Sequence, residues 1–135
     1  MSKDRSNELR ELFKHSKFAT GVYAELKVFD LLRNHGFLVF RHPHSATPDL
    51  WAWRNGVLYL IEVKSTFRTS LTINPAQVEC IRSMLQFFAN TTIPAVGFVV
   101  VYFVLYDEFG VKKIDPIGDN IVTVGLGDHD PELPL

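Results

Sequence analysis

One cysteine, Cys80, stands in 135 residues. A single thiol cannot form an internal disulfide framework, and its solitude fits a reducing compartment. A secretory signal is also missing. The N-terminal stretch is polar and charged, which predicts a cytoplasmic location, or the host cytoplasm for a viral chain. No apolar run is suited to crossing a membrane. The longest, near residues 93–106, is too short and too β-branched for a membrane helix and reads as a buried strand. There is no excess of positive charge either: 14 Lys and Arg face 15 Asp and Glu, a net charge of −1. Any binding of a polyanion must therefore rest on a local patch. Internal repeats and linker-like segments are absent, so the chain reads as one domain, 1–135, with one core.

What is present supports a substantial core. Hydrophobic residues make up 47%, and eleven Phe, four Tyr and two Trp can bury a large apolar area. The charge is unevenly spread. Residues 1–68 hold eleven Lys/Arg against seven Asp/Glu, whereas residues 69–135 hold three against eight. A polyanion would face the first half.

Residues 1–16 form a polar arm. From Lys17 a helical period sets in, with Phe18, Val22, Leu26, Phe29 and Leu32 on one face and Gly36 as the stop. "FLVFR" (37–41) reads as a strand and "HPHSATP" (42–48) as a loop. "DLWAW" and "VLYLIEVK" (57–64) are two strands joined by Asn55-Gly56, a strong hairpin turn signal. Residues 65–73 show no clear period. Asn74 caps a helix with Pro75 at its first position, and Val78, Ile81, Leu85 and Phe88 form its buried stripe. "AVGFVVVYFVLY" (95–106) is a doubly covered strand, "DEFG" (107–110) a turn, and "VKKIDPI" an edge strand. The Gly-, Pro- and Asp-rich tail, 118–135, reads as acidic and loosely held. The expected fold class is α/β (α+β), with a mixed sheet flanked by helices in the order α-β-β-β-α-β-β.

The hairpin poses the chemical question. A two-residue turn at Asn55-Gly56 pairs 54 with 57, 53 with 58, 51 with 60 and 49 with 62. Asp49 then lies across from Glu62 on one face, with Cβ atoms about 4.5–5.5 Å apart, where like charges repel. A divalent cation is the natural reason for such a pair, because carboxylate oxygens suit Mg²⁺ or Mn²⁺. The backbone carbonyl of Val63 can add an oxygen. Lys64, one side-chain spacing beyond Glu62, can orient a water or steady an anionic centre. Glu25, within or beside the apolar stripe of the first helix, needs a partner and can reach the cation directly or through water. The set suits metal-assisted hydrolysis of a phosphodiester. Each residue alone has a plainer reading: a surface Glu-x-Lys pair, a turn-capping Asp, a snorkelling Glu. Their conjunction favours the metal site. His42 and His44 read as loop residues rather than ligands. Trp51 and Trp53, on the face of Asp49, read as core or dimer packing rather than base-stacking platforms.

These residues resemble the PD-(D/E)XK nuclease superfamily, and within it the archaeal-type Holliday junction resolvases, cellular and viral. The resemblance is carried by Gly21, Ala24-Glu25, Gly36-Phe37, Arg41, Ser45, Pro48-Asp49, Ile61 through Ser65, and Gln77. It spans about residues 17–102, and the tail from 103 does not match. The "HPHSAT" loop lacks the glycines common in the family. The resemblance implies a restriction-endonuclease-like fold and a metal-dependent endonuclease acting on four-way (Holliday) junctions. It implies Glu25, Asp49, Glu62 and Lys64 as the catalytic set, Ser45 as a loop serine needed for activity, and Mg²⁺ as cofactor with Mn²⁺ as a substitute. A homodimer is implied as well, setting two sites against opposed strands. Lys14, Lys17, Arg41, Arg54 and Arg68 are the DNA-facing candidates, joined by Gln77 on the family's glutamine-bearing helix. Two alternatives stay open. One is a nuclease of this fold acting on nicked, flapped or linear duplex DNA. The other is a catalytically silent DNA- or protein-binding module, which the intact Asp49, Glu62 and Lys64 argue against.

Overall fold

The computed structural model describes the main chain of residues 17–42 and 46–135, with side chains from residue 20 onward. Nine elements follow one another among these residues: α1 (Lys17–Asn34), β1 (Leu38–Arg41), β2 (Leu50–Arg54), β3 (Val57–Thr66), β4 (Ser70–Thr72), α2 (Pro75–Ala89), β5 (Ala95–Phe103), β6 (Glu108–Ile114) and β7 (Thr123–Gly125). Five strands form one mixed sheet in the order β1-β2-β3-β5-β6, and β4 pairs with β7 in a second, two-stranded sheet. Only β3 and β5 run parallel, joined by the crossover through α2. No described helix is long and apolar enough to cross a membrane.

The β2–β3 hairpin forms in the expected register. Asn55 and Gly56 both adopt positive φ, 53° and 78°, the backbone of a turn whose twist matches the flanking strands. Arg54 pairs with Val57, Trp53 with Leu58, and Trp51 with Leu60. Because side chains alternate, β3 feeds two cores. Tyr59, Ile61 and Val63 pack with Ala24, Val28 and Leu32 of α1. Leu58 and Leu60 pack with Val78, Ile81 and Leu85 of α2. Strand β5 is buried from Gly97 to Phe103, which explains its unbroken apolar run.

Both helices begin or stop where local chemistry directs. Asn74 Oδ1 accepts from the Ala76 N–H at 2.9 Å, and Pro75 opens α2. Gly36, at φ +86°, ends α1, and the Phe37 N–H turns back onto the Leu32 carbonyl. The buried line of α1 differs from the expected one. It runs through Thr20, Ala24, Val28 and Leu32, while Leu26 is 43% exposed and Val22 and Phe29 are only partly buried. Small side chains let the helix lie close on the sheet, and that advantage outweighs the larger apolar residues around its circumference.

Three further differences concern the second half. Strand β5 stops at Phe103, and the turn to β6 occupies Val104–Asp107, with Asp107 at φ 52°. The stretch after β3 contains β4. The tail is docked rather than loose: Val124 and Leu133 are fully or almost fully buried. Val124 pairs with Leu71, the Val111 N–H donates to the Asp128 carbonyl at 2.9 Å, and Lys113 bridges Glu132 at 2.9 Å. Gly110 permits this close crossing, since a Cβ there would lie 2.7 Å from the Gly125 carbonyl oxygen. Isolated Val and Leu residues in a polar tail thus supply enough burial to anchor it.

Candidate active site

Strand β2 begins one residue after Asp49, and the hairpin register continues past its end. Asp49 stands opposite Glu62, and its N–H donates to Glu62 Oε1 at 3.2 Å. The Val63 N–H donates to Asp49 Oδ2 at 2.8 Å. Strand alternation aims the Val63 carbonyl to that same side. The residue facing it is Pro48, which has no N–H to give. A carbonyl oxygen is thus left available beside two carboxylates.

Electrostatics mark the pair as strained by charge. Asp49 is buried at 8% exposure and Glu62 at 1%. Burial, and then the negative charge of Glu62, push the Asp49 carboxyl up to about 6 from 3.8. Glu62 has two donors, the Asp49 N–H and Lys64 Nζ, the latter at 3.1 Å from Oε2. Glu25, carried in by α1, is 15% exposed and pairs with Arg41 at 3.1 Å. Its carboxyl is also raised, first by burial and then by the charge of Asp49, against the lowering effect of Arg41. Three carboxylates therefore share one corner at the end of the hairpin, served by two cationic side chains.

The donor chemistry fits a hard divalent cation. Mg²⁺ commonly takes one or two carboxylates and keeps several waters. Asp49, Glu62 and the Val63 carbonyl supply such a set. A complete cage is not built. Among the described residues, no three His, Cys, Asp or Glu side chains are arranged to hold a metal ion.

The sequence model of the archaeal Holliday junction resolvases (Hjc) matches residues 16–116. This chain belongs to that family. The match runs through β6, beyond the expected end near residue 102. The Hje crossover junction endodeoxyribonuclease of Saccharolobus solfataricus is 30% identical over 120 residues, covering 85% of this chain and 83% of that protein. A crossover junction endodeoxyribonuclease of Sulfolobus islandicus rod-shaped virus 1 is 36% identical over 74 residues, which are 51% of this chain and 61% of the viral protein. The crystal structure of Archaeoglobus fulgidus Hjc, a Holliday junction resolvase, superposes with a TM-score of 0.59 at 18% identity. It covers 78% of this chain and 84% of that one, and supports the fold.

In this resolvase-family chain, Glu25, Asp49, Glu62, Lys64 and Val63 come together as their spacing suggested. Of the DNA-facing candidates, Arg41 comes to this corner through Glu25, whereas Arg54 does not. Arg54 lies at the far end of β2, about 16 Å from Asp49 by strand rise, with its guanidinium 4.3 Å from the Phe37 ring centroid. Arg68 is exposed in the turn after β3, and Gln77 is half-buried in the first turn of α2. Ser45, His44 and Lys14 lie outside the described residues, as does the side chain of Lys17. The ring of His42 sits edge-on to Trp51, 6.3 Å between centroids. Trp51 and Trp53 pack against the α2 core.

Sequence reasoning missed how Arg41 is engaged. Expected to face DNA, it also holds Glu25, and nothing in the spacing of residues 25 and 41 signals that pairing. It also missed the two backbone N–H groups that lock Asp49 and Glu62 together, because main-chain donors leave no mark on residue identity.

Proposed function

We propose that this chain is a Mg²⁺-dependent endodeoxyribonuclease that hydrolyses phosphodiester bonds at four-way DNA junctions and acts as a homodimer. The observation that carries the site is Asp49 facing Glu62, with the Asp49 carboxyl pushed up by burial and by its neighbour's charge. Asp49, Glu62 and the Val63 carbonyl would hold the cation. Bound there, it would supply positive charge to the reacting phosphate and acidify a water. Lys64 Nζ, restrained by Glu62, is placed to orient a nucleophilic water and to steady the negative charge that builds on the phosphate oxygens. Buried Leu60 and Ile61 hold β3 rigid beneath this site, which keeps the charged groups in register.

Junction selectivity is tested by incubating the protein with a synthetic four-way junction, linear duplex and flap DNA, each in Mg²⁺ and in EDTA. Paired nicks in the junction, dependent on Mg²⁺, are expected. Equal cutting of linear duplex would instead assign another DNA substrate, and cutting in EDTA would remove the metal from the reaction.

The dimer reading rests on one apolar face. Leu38 and Phe40 of the edge strand β1 are 60% and 54% exposed, beside Trp53 and Trp51 on the same side of the sheet. Next to them lies a groove of about 520 Å³ between Trp51 and the Cys80, Met84 and Phe87 stripe of α2, with Phe87 66% exposed. Among the described residues, no charged side chain lines it. Such residues offer roughly 500 Å² of apolar area per copy, a large part of the roughly 800 Å² per partner in a standard interface. A patch without charge is self-complementary, as a two-fold contact requires. Light scattering should give a dimer mass, and Phe40→Glu with Phe87→Glu should give a folded monomer. A dimer that survives both changes would place the interface elsewhere.

A further inference from the structure

Two cationic side chains serve three carboxylates at this site, and the division is unequal. Lys64 holds Glu62 and Arg41 holds Glu25, each at 3.1 Å. Asp49, between them, accepts from the Val63 N–H and pairs with neither of these two cations. Glu25 lies within side-chain hydrogen-bonding reach of Asp49. Among the described residues it nevertheless completes no cage of three side-chain ligands, and Arg41 is the group that pairs with it. Arg41 is also the accessible member of its pair: its side chain is 42% exposed, against 15% for Glu25. It closes the edge strand β1, so an anion arriving from solvent meets the guanidinium before it meets the carboxylate.

We propose that Arg41 is a substrate-sensing latch on Glu25. In the DNA-free protein it withholds Glu25 from the cation between Asp49 and Glu62, and a phosphate of bound DNA draws Arg41 away and frees Glu25 for that cation. The inference rests on the metal-site reading above. A guanidinium pairs with phosphate as readily as with carboxylate, so the exchange conserves charge-assisted hydrogen bonds. The formal charges also close. Three carboxylates with Arg41 and Lys64 leave one negative charge, a divalent cation turns this into one positive charge, and a phosphodiester cancels it. Metal and DNA then each strengthen the other's binding by the same factor, because coupling between two binding events is reciprocal. Arg41 is in this sense a positioning residue: it acts on the reaction through Glu25.

The test begins without DNA. Mn²⁺ binding, read from the free-ion electron paramagnetic resonance signal, is measured for the wild type, Arg41→Ala, Glu25→Gln and the double variant. Arg41→Ala is expected to bind Mn²⁺ about 5–10-fold more tightly than the wild type, and Glu25→Gln in the same chain should cancel the gain. A plain phosphate contact would leave DNA-free Mn²⁺ affinity unchanged. Unchanged or weakened binding in Arg41→Ala overturns the latch. Fluorescence anisotropy of a labelled four-way junction, in Ca²⁺ and in EDTA, reads the coupling from the other side. The gain in junction affinity on adding Ca²⁺ should shrink in Arg41→Ala, and an equal gain in both proteins overturns the proposal. Asp49→Asn separates the two readings. If it abolishes Mn²⁺ binding while Arg41→Ala has no effect, only the latch falls. If the wild type shows no Mn²⁺ binding that Asp49→Asn removes, the metal site falls with it.

Discussion

Asp49→Asn is expected to abolish cutting and, at the same time, to make the metal-free protein more stable at neutral pH. The folded chain releases the Asp49 proton near pH 6, against 3.8 for the ordinary carboxyl. Between these values the folded state binds more protons than the unfolded one, so stability falls as pH rises through that window. Above about pH 6 the ionised Asp49 costs about 2–3 kcal/mol, first through burial and then through repulsion by Glu62. Asparagine keeps the shape and can still accept the Val63 N–H, but carries no charge. Its melting midpoint should exceed that of the wild type on the order of 5–10 °C at pH 7–8, and the two curves should converge toward pH 4. Mg²⁺ should raise the midpoint of the wild type at pH 7 and leave the variant unmoved. Single-turnover cleavage of a junction should fall on the order of 10³-fold. Full activity in the variant, or a lower midpoint at pH 7, would sink the reading of Asp49 as a ligand held in waiting.

Lys64→Met should also stop the reaction, with the opposite effect on stability. Glu62 is 1% exposed and Lys64 Nζ lies 3.1 Å from its Oε2. Without the ammonium, the donor left to this buried carboxylate among the described residues is the Asp49 N–H. Removing one partner of a buried pair leaves an uncompensated charge, here worth roughly 2–3 kcal/mol because Lys64 is itself partly solvated. Urea denaturation in EDTA at pH 7 should show a lower midpoint for Lys64→Met and a higher one for Asp49→Asn. Adding Glu62→Gln to Lys64→Met should restore most of the loss. A lysine serving only as a surface charge would change the midpoint by a few tenths of a kcal/mol, and such a result would detach Lys64 from Glu62.

The opposed effects of these two substitutions follow from one hairpin, and its geometry was legible before any fold was known. Asn55-Gly56 admits a two-residue turn, and a side-chain period of two then leaves a single register that buries Leu58 and Leu60. Asp49 across from Glu62 is a consequence of that register. The start of α2 was equally readable, since Asn74 and Pro75 act within one turn of themselves. Where the reading erred, the deciding contacts were distant. Leu26 belonged to a sound helical period, yet the sheet below α1 accepts the small-residue line through Ala24 and Val28. The tail looked too polar to dock, yet Val124 and Leu133 find burial against strands far away in sequence.

By itself, then, the amino-acid sequence determined the two helices, the longer strands, the hairpin register and the identity of the carboxylates and lysine at its end. These depend on turn chemistry and side-chain alternation, which act over a few residues. The tertiary structure alone decided that Glu25 comes to Arg41, that Arg54 stands away from the site, and that Asp49 is the carboxylate with which neither Arg41 nor Lys64 pairs. Those outcomes depend on how α1 is seated against β1 and β3. No periodicity encodes the distance between two groups that meet only when a helix settles on a sheet.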